Sequence, residues 1–575
     1  MGVSLYVYYT HRTWLGETLL LFFAVFIGSV FFHRRVLHSL ERLRIWQHIK
    51  STHLARITLD WDHIPLVDSA LGAPEHPFAA DLNLTGRRSL LHLLDTTVSR
   101  GGRERLREWL FDPAPNIDPI HVRQALVREL TPLSMFRDRL VLNSTLAAGH
   151  TAKPWDGKGV IRWLEQHENP GIKPWLIGLF GLSALNVVLV VCHILEWTPA
   201  LWPFSLTLYA WIYLLRRRSY SSLFDEAQEL DETLRRFRAV LHYLETYPLD
   251  HHLRLARLCA PFREERPSVQ LKRITRIAMA AGSQKSEVLW LVLNTVMPWD
   301  LYFAHRLERY KADLRVVLPR WLDTWYDLEA LGALANFAAL HPSYHFPEIV
   351  PGTEPVFEAR QMGHPLLPAL AKVRNDFTVG KMGEVVIITG SNMSGKSTFL
   401  RTLGINLSLA QAGGPVDADA MHSVPMRLFT CLQVADSVND GISYFYAEVR
   451  RLRALLDALV APVSLPLFFL VDEIFRGTNN RERLHGSRSL VRALTGGNGI
   501  GAISTHDLEL VHLDETIEGL RNVHFREEIS DGRMKFDYRL RPGPCPTTNA
   551  LKIMEMEGLP VEYLPDDLRS ASREE

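Results

Sequence analysis

Cysteine is scarce in this chain. There are four in 575 residues, Cys192, Cys259, Cys431 and Cys545, far apart and with no C-x-x-C pair. That spacing suggests neither a zinc site nor a disulfide framework, and the soluble parts read as reduced, cytosolic protein. A charge of one sign is also missing. Lys+Arg and Asp+Glu both number 64, so there is no global pull toward nucleic acid or acidic lipid, although a local basic patch stays open. No repeat of roughly 20–50 residues is visible, and there is no low-complexity tract. Solenoid and repeat architectures are set aside.

The chain does have long apolar runs. Trp14–Phe32 carries Glu17 as its only charge, Trp175–Leu195 has none, and a third run covers Pro199–Leu215. A membrane helix needs about 20 mostly apolar residues, with about 17 as the lower end. All three runs qualify by length, the third barely. Arg34, Arg35, Arg42 and Arg44 follow the first run and only Arg12 precedes it; Lys173 precedes the second and Arg216, Arg217 and Arg218 follow the third. Positive flanks favour the cytoplasmic side. They predict an outside N-terminus, one span inward, and a hairpin out and back with its tip at Glu196–Thr198. The first run lacks a small-residue cleavage site after Phe32, as a signal peptide would require. Buried core helices are the alternative reading of such runs.

These runs divide the chain. Residues 1–45 form an N-terminal anchor with span 14–32, and residues 46–82 a linker with Pro65, Pro74 and Pro77. Residues 83–172 and 217–341 read as a helical core and lever, with spacing of three to four between apolar residues. Gly101–Gly102 reads as an interruption of that pattern and Pro113 as a stop. Residues 173–216 insert a hairpin with spans 175–195 and 199–215. From 342 to 575 short apolar runs alternate with helices, as in EVVIITG, LFFLVDE and GIGAISTH, which predicts a parallel sheet with crossover helices. The predicted fold is therefore multidomain: helical with transmembrane insertions, then an α/β domain.

The stretch TGSNMSGKST fits G-x-x-x-x-G-K-[ST] through Gly390, Gly395, Lys396 and Ser397. A buried strand precedes it and a helix follows, the context such a phosphate loop requires. Backbone N–H groups and the helix N-terminus face phosphates, Lys396 reaches the β/γ oxygens, and Ser397 can hold Mg²⁺. LFFLVDE ends a second strand with Asp472, a Mg²⁺ carboxylate, and Glu473, which can polarise an attacking water. GAISTH places His506 at a third strand end, where it can contact a γ-phosphate.

The order and wording of these motifs resemble the ATPase domain of the MutS family of mismatch-repair proteins. TGSNMSGKST resembles that family's TGPNMGGKST. VRNDFTVG, VDEIFRGTNN, STHDLEL and RPGPCPTTNALKIMEMEGLP fit as well, and LLHLLDTTVSRGGRERLREWLFDPAPNIDPIHVRQALVREL resembles the opening of the family's helical core. The resemblance covers about residues 83–165 and 300–565. It implies ATP and Mg²⁺ as ligands, with Gly390, Asn392, Ser394, Gly395, Lys396, Ser397, Thr398 and Asp472 around the nucleotide. It also implies a homodimer with composite sites and a C-terminal helical dimerisation segment. Ser443 in DGISYFYAEV matches the serine presented to the neighbour's γ-phosphate, although Tyr444 replaces the family's Thr. The family's adenine-stacking aromatic is absent from Lys372-Val373-Arg374-Asn375-Asp376, and Tyr538 is the candidate for the other ring.

The departures shape the functional expectation. The family's mismatch-reading domain precedes the helical core, but residues 46–82 are too few for a domain, which needs at least about 50. The hairpin occupies the general region of the DNA clamp. Arg266, Lys272, Arg273 and Arg276 form one basic cluster, a solvated face, a lipid-phosphate patch or a DNA patch. The expectation is a multi-pass ATPase of the bacterial inner membrane, its ATPase domain cytoplasmic, acting on an unknown membrane or protein partner. A membrane-tethered sensor of mismatched or branched DNA and a transporter-like ATPase remain the alternatives. No LSGGQ-type signature supports the latter.

Overall fold

The computed structural model describes residues 2–66, 76–149, 156–165, 172–217, 237–281, 287–433, 444–475, 480–530 and 533–545, apart from positions 353, 355 and 392. Two compact units emerge. The first comprises Met1–Leu54, Met135–Pro248 and Ala260–Trp321; the second comprises Ala55–Ser134, Leu249–Cys259 and Leu322–Glu575.

The first unit is helical. A 57-residue helix, α1 (Gly2–Thr58), opens it and contributes all but its last turn. Between Leu19 and Phe32 most of its apolar side chains stand open: Phe22 is 75% exposed and Phe32 70%. Among the described residues two helices are long and apolar enough to cross a membrane, by length and composition: Glu17–Thr58 and Lys173–Ile194. The third expected span, 199–215, takes a shorter form. Residues 196–201 go into the turn, where Glu196 adopts φ 61°, and the helix itself is Trp202–Arg217, 16 residues. Pro199 and Pro203 set this start, because proline is tolerated before and in the first helical turn but not further inside. The hairpin thus pairs a 23-residue helix with one of 16 residues.

The second unit begins with short helices of the core: α2 (Leu90–Leu94), α3 (Arg100–Leu110) and α4 (Ile117–Leu130). Gly101 and Gly102 do not interrupt this run; they lie in the first turn of α3. A Cβ at Gly101 would stand 2.4 Å from the Tyr326 ring, and one at Gly102 2.4 Å from Glu329 Oε2. The glycine pair is a packing requirement. The chain breaks earlier, at Asp95–Ser99, where Ser99 caps α3 by accepting from Gly102 N–H at 2.9 Å. Buried Glu329 accepts from the backbone and hydroxyl of Ser99.

Two sheets follow. The smaller has order β1 (Glu348–Ile349), β5 (Ala420–Ser423), β2 (Phe357–Met362), β3 (Asn375–Val379). The larger runs β10 (Arg533–Pro542), β9 (Leu520–Ser530), β4 (Val385–Thr389), β8 (Gly499–Ser504), β7 (Leu467–Asp472), β6 (Arg427–Cys431). It is parallel from β6 to β9, with β10 antiparallel at the edge. Every residue of β4, β7 and β8 is buried, which is why those strands read as continuous apolar runs rather than alternating ones. Val385, Ile387, Phe469 and Ile503 are among the core they share with the helix following β6. Because β8 lies between β4 and β7, the ends of all three strands open on one crevice.

Candidate nucleotide site

The loop Gly390–Gly395 leaves β4 and enters the helix Lys396–Ala412. Two of its glycines carry positive φ, 141° at Gly390 and 97° at Gly395. A Cβ at Gly390 would lie 2.7 Å from Ser394 Oγ and 2.9 Å from the Phe525 carbonyl, so the loop can curl only with glycine there. Ser394 Oγ donates to Ser391 O at 2.8 Å. Buried Lys396 turns its Nζ into the loop and donates to Gly390 O at 2.7 Å and Ser391 O at 2.8 Å. Thr398 is exposed on the first turn of the helix. Asn392 and Ser443 lie outside the described residues.

Ser397 Oγ donates to Asp472 Oδ2 at 2.6 Å, and Ser504 Oγ from β8 donates to Asp472 Oδ1. The two oxygens proposed for Mg²⁺ therefore touch each other, and the far carboxylate oxygen is fixed by Ser504. A hard cation favours such an oxygen pair beside phosphates, so these residues fit the metal.

Glu473 and Phe475 both adopt left-handed backbone, φ 51° and 57°, uncommon for non-glycine residues. Two contacts hold this turn: Glu473 N donates to Ser504 O at 3.0 Å, and Phe475 N donates to the buried Glu448 Oε1 at 2.7 Å. The turn aims Glu473 toward His506, whose Nδ1 lies 3.5 Å from Glu473 Oε1. Such strain clusters at functional sites. Lys396, Ser397, Asp472, Glu473 and His506 thus stand together at the strand ends.

Tyr538 lies beside the glycine loop. It sits in an irregularity of β10 between Phe536 and Leu540, at φ 53°, with its ring 3.0 Å from a Cβ placed on Gly395. Asn375 holds the irregularity from both sides, donating from Nδ2 to Tyr538 O at 2.9 Å and accepting from Leu540 N–H at 2.8 Å. Tyr538, Gly395, Thr398, Phe399, Met362 and His364 contribute to the wall of a cavity of about 360 Å³. Burial, then Lys372 and Arg401, push the His364 imidazole down to about 4, so it is neutral. Lys372, in the stretch that lacks the aromatic, turns into an ion pair with buried Asp417, which also pairs with Arg374. Burial lowers the Lys372 ammonium, while Asp417 opposes that shift.

Sequence reading missed Ser504, Glu448 and Asn375 as supports of the site. Ser504 was readable, since it ends the strand run GAIS. Glu448 and Asn375 act across 27 and 163 residues, which no local pattern reveals.

A strand, a glycine loop with an inward lysine, a Ser–Asp pair and a strand-end glutamate together define a P-loop nucleotide-binding domain. Residues 386–571 match the family described as MutS domain V. A DNA mismatch repair protein MutS of Lactobacillus delbrueckii subsp. bulgaricus is 26% identical over 84% of this chain and 59% of its own length. The same-named proteins of Lactobacillus helveticus and Chloroflexus aurantiacus are 29% and 32% identical, over 49% and 41% of this chain and 32% and 25% of theirs. Residues 386–571 thus carry the MutS family's domain V, and similarity to proteins of that family extends over most of the chain. The chain spans less than two thirds of the length of these relatives.

Proposed function

We propose that the protein is a membrane-held ATPase of the MutS family, a dimeric switch that closes on ATP and reopens after hydrolysis. The observation that carries the reading is the convergence of Lys396, the Ser397–Asp472 pair and the Glu473–His506 pair on the crevice of one sheet. The reaction is ATP + H₂O to ADP and phosphate. Lys396 exchanges its loop carbonyl partners for phosphate oxygens. Mg²⁺, when bound with the nucleotide, offsets phosphate charge, and Ser397 and Asp472 are the residues to hold it. Glu473 takes the proton of the attacking water, and His506 orients that carboxylate. Ser443 serves the neighbouring subunit's nucleotide. The base rests in the Tyr538 cavity.

Membrane attachment rests on the two long apolar helices, their exposed apolar side chains and the positive flanks. It puts the ATPase domain on the cytoplasmic side of a bacterial inner membrane. Glu473→Gln is expected to bind ATP normally and to lose hydrolysis by about two orders of magnitude or more. Normal hydrolysis by that variant would remove Glu473 as the base.

A second reading is favoured by the relatives, whose names are those of DNA mismatch repair proteins and whose similarity reaches 84% of the chain. On that reading the protein is a DNA sensor. The readings part on one test: mismatched duplex should leave the ATPase rate nearly unchanged in a membrane switch. A tenfold change, about 1.4 kcal/mol in barrier, would establish the sensor.

A further inference from the structure

Within the helical unit a segment outside the three apolar runs, the helix Glu287–Val296, packs on the hairpin Ile172–Ile194 and Trp202–Arg217. Its C-terminal carbonyls are the groups a helix leaves without internal partners. Two of them take hydroxyls from the hairpin: Tyr209 OH donates to Asn294 O at 2.6 Å, and Ser183 Oγ donates to Val296 O. The chain then breaks at Met297-Pro298. Asp300 lies in the first turn of the next helix, Trp299–Leu340, with its N–H given to Asn294 Oδ1 at 3.0 Å and its carboxylate accepting from Tyr213 OH at 2.9 Å. Tyr209, Tyr213, Asn294 and Asp300 are all buried.

The place of these contacts matters. Ser183 falls at the middle of its 23-residue helix, and Tyr209 at the middle of its 16-residue one. On the first helix Leu176, Leu179, Ser183 and Asn186 form one narrow buried stripe. The broken helix therefore meets the hairpin at half its length, where Ser183, Tyr209, Tyr213 and Asn294 pair with protein groups as polar groups do where water is scarce, while the buried Asn186 amide takes no hydrogen bond. The outer face of Glu287–Val296 is apolar and open: Leu291 is 59% exposed, Val292 54% and Val296 59%. Ten residues reach about 15 Å, half of a bilayer core of about 30 Å. The preceding helix, Pro267–Ala281, exposes Lys272, Arg273 and Arg276, the sign that marks the cytoplasmic side together with Lys173 and Arg216.

We infer that residues 287–303 form a re-entrant membrane element. It enters from the cytoplasmic side, breaks at Pro298 near mid-depth and returns as the root of the long helix, with lipid acyl chains against Leu291, Val292 and Val296. This inference rests on the membrane reading proposed above. It gives the hairpin a grip on the helix that continues to Leu340.

The test uses the full chain with its four cysteines replaced by alanine, reconstituted in phosphatidylcholine–phosphatidylglycerol vesicles. Single cysteines at Val292, Val296, Val188 and Arg276 carry a bimane label. Labels at Val292 and Val296 should be quenched several-fold more by an acyl-chain nitroxide than by an aqueous nickel chelate, as at Val188, with Arg276 the reverse. If Val292 and Val296 behave like Arg276 while Val188 stays in lipid, the re-entrant element is overturned and the spans survive. If Val188 is itself reached by nickel, the membrane reading falls and this inference with it.

Discussion

Asn375 shows how much of a site depends on one side chain that takes no part in chemistry. Its amide holds the backbone on both sides of Tyr538, and that backbone sits at a φ tyrosine seldom adopts. Removing the two hydrogen bonds costs about 1–3 kcal/mol, so Asn375→Ala should weaken ATP binding by roughly tenfold, read by titration with a fluorescent ATP analogue. Tyr538→Phe should bind as the wild type does, since only the ring is used. Normal binding by Asn375→Ala would separate Tyr538 from the nucleotide. The loop, Asp472, Glu473 and His506 were legible in the sequence because each lies at the end of a strand whose apolar run announces it. Asn375 was legible only as a motif letter, because its partners lie 163 and 165 residues away. The missing aromatic in residues 372–376 was readable, but not the turn of Lys372 toward Asp417.

The elements around the site are joined by a short strap. Asp81 accepts from Thr430 Oγ1 at 2.8 Å, Leu432 N–H at 2.9 Å and Gln433 N–H at 3.3 Å, where β6 leads toward Ser443. Arg401, on the helix after the glycine loop, donates to Asp81 O at 3.0 Å, and Leu82 fills the space at Gly404, where a Cβ would meet it at 2.6 Å. Gly404→Ala should therefore cost about 1–3 kcal/mol by overpacking, visible as a lowered unfolding midpoint, unless the strap shifts. A midpoint equal to wild type would mean the strap yields freely. Residues 76–84 lie in the segment 46–82 and just beyond it, which the sequence offered only as a proline-bearing linker, since a contact made by one Asp and one Leu has no periodicity.

Glu329 adds a pH signature to the same unit. Burial pushes its carboxyl up to about 7 against the Ser99 hydrogen bonds. The folded chain keeps that proton where the unfolded chain, with an ordinary value near 4.5, has lost it. Its contribution is full below about 4.5 and is lost as pH rises through about 7. Thermal unfolding of the wild type in detergent should fall in midpoint across that window relative to Glu329→Gln. Parallel profiles would place the carboxyl elsewhere in its titration.

At the scale of the molecule, the helical and α/β halves were legible because their periodicities differ. The start of the helix Trp202–Arg217 was not, since its prolines and the turn before it take residues from a run that composition alone counts as apolar. Residues 287–303 escaped as well: Asn294, Thr295 and Asp300 break the apolar run, and they are the residues or neighbours that meet the hairpin. Dimer closure has its own test. Mixed chains carrying Ser443→Ala and Lys396→Ala should recover part of the ATPase activity lost in each, because one composite site of the mixed dimer is intact. No recovery despite subunit mixing would place each site within one chain.

The central claim is that one chain is both held in a membrane and driven by ATP. It is tested most directly by washing membranes that carry the full-length protein with alkaline carbonate and assaying pellet and supernatant for ATPase, with Lys396→Ala alongside. The account predicts activity in the washed pellet that is lost in the variant, because spanning helices resist a wash that strips surface-bound protein. Activity released into the supernatant, or activity that persists in Lys396→Ala, would contradict it.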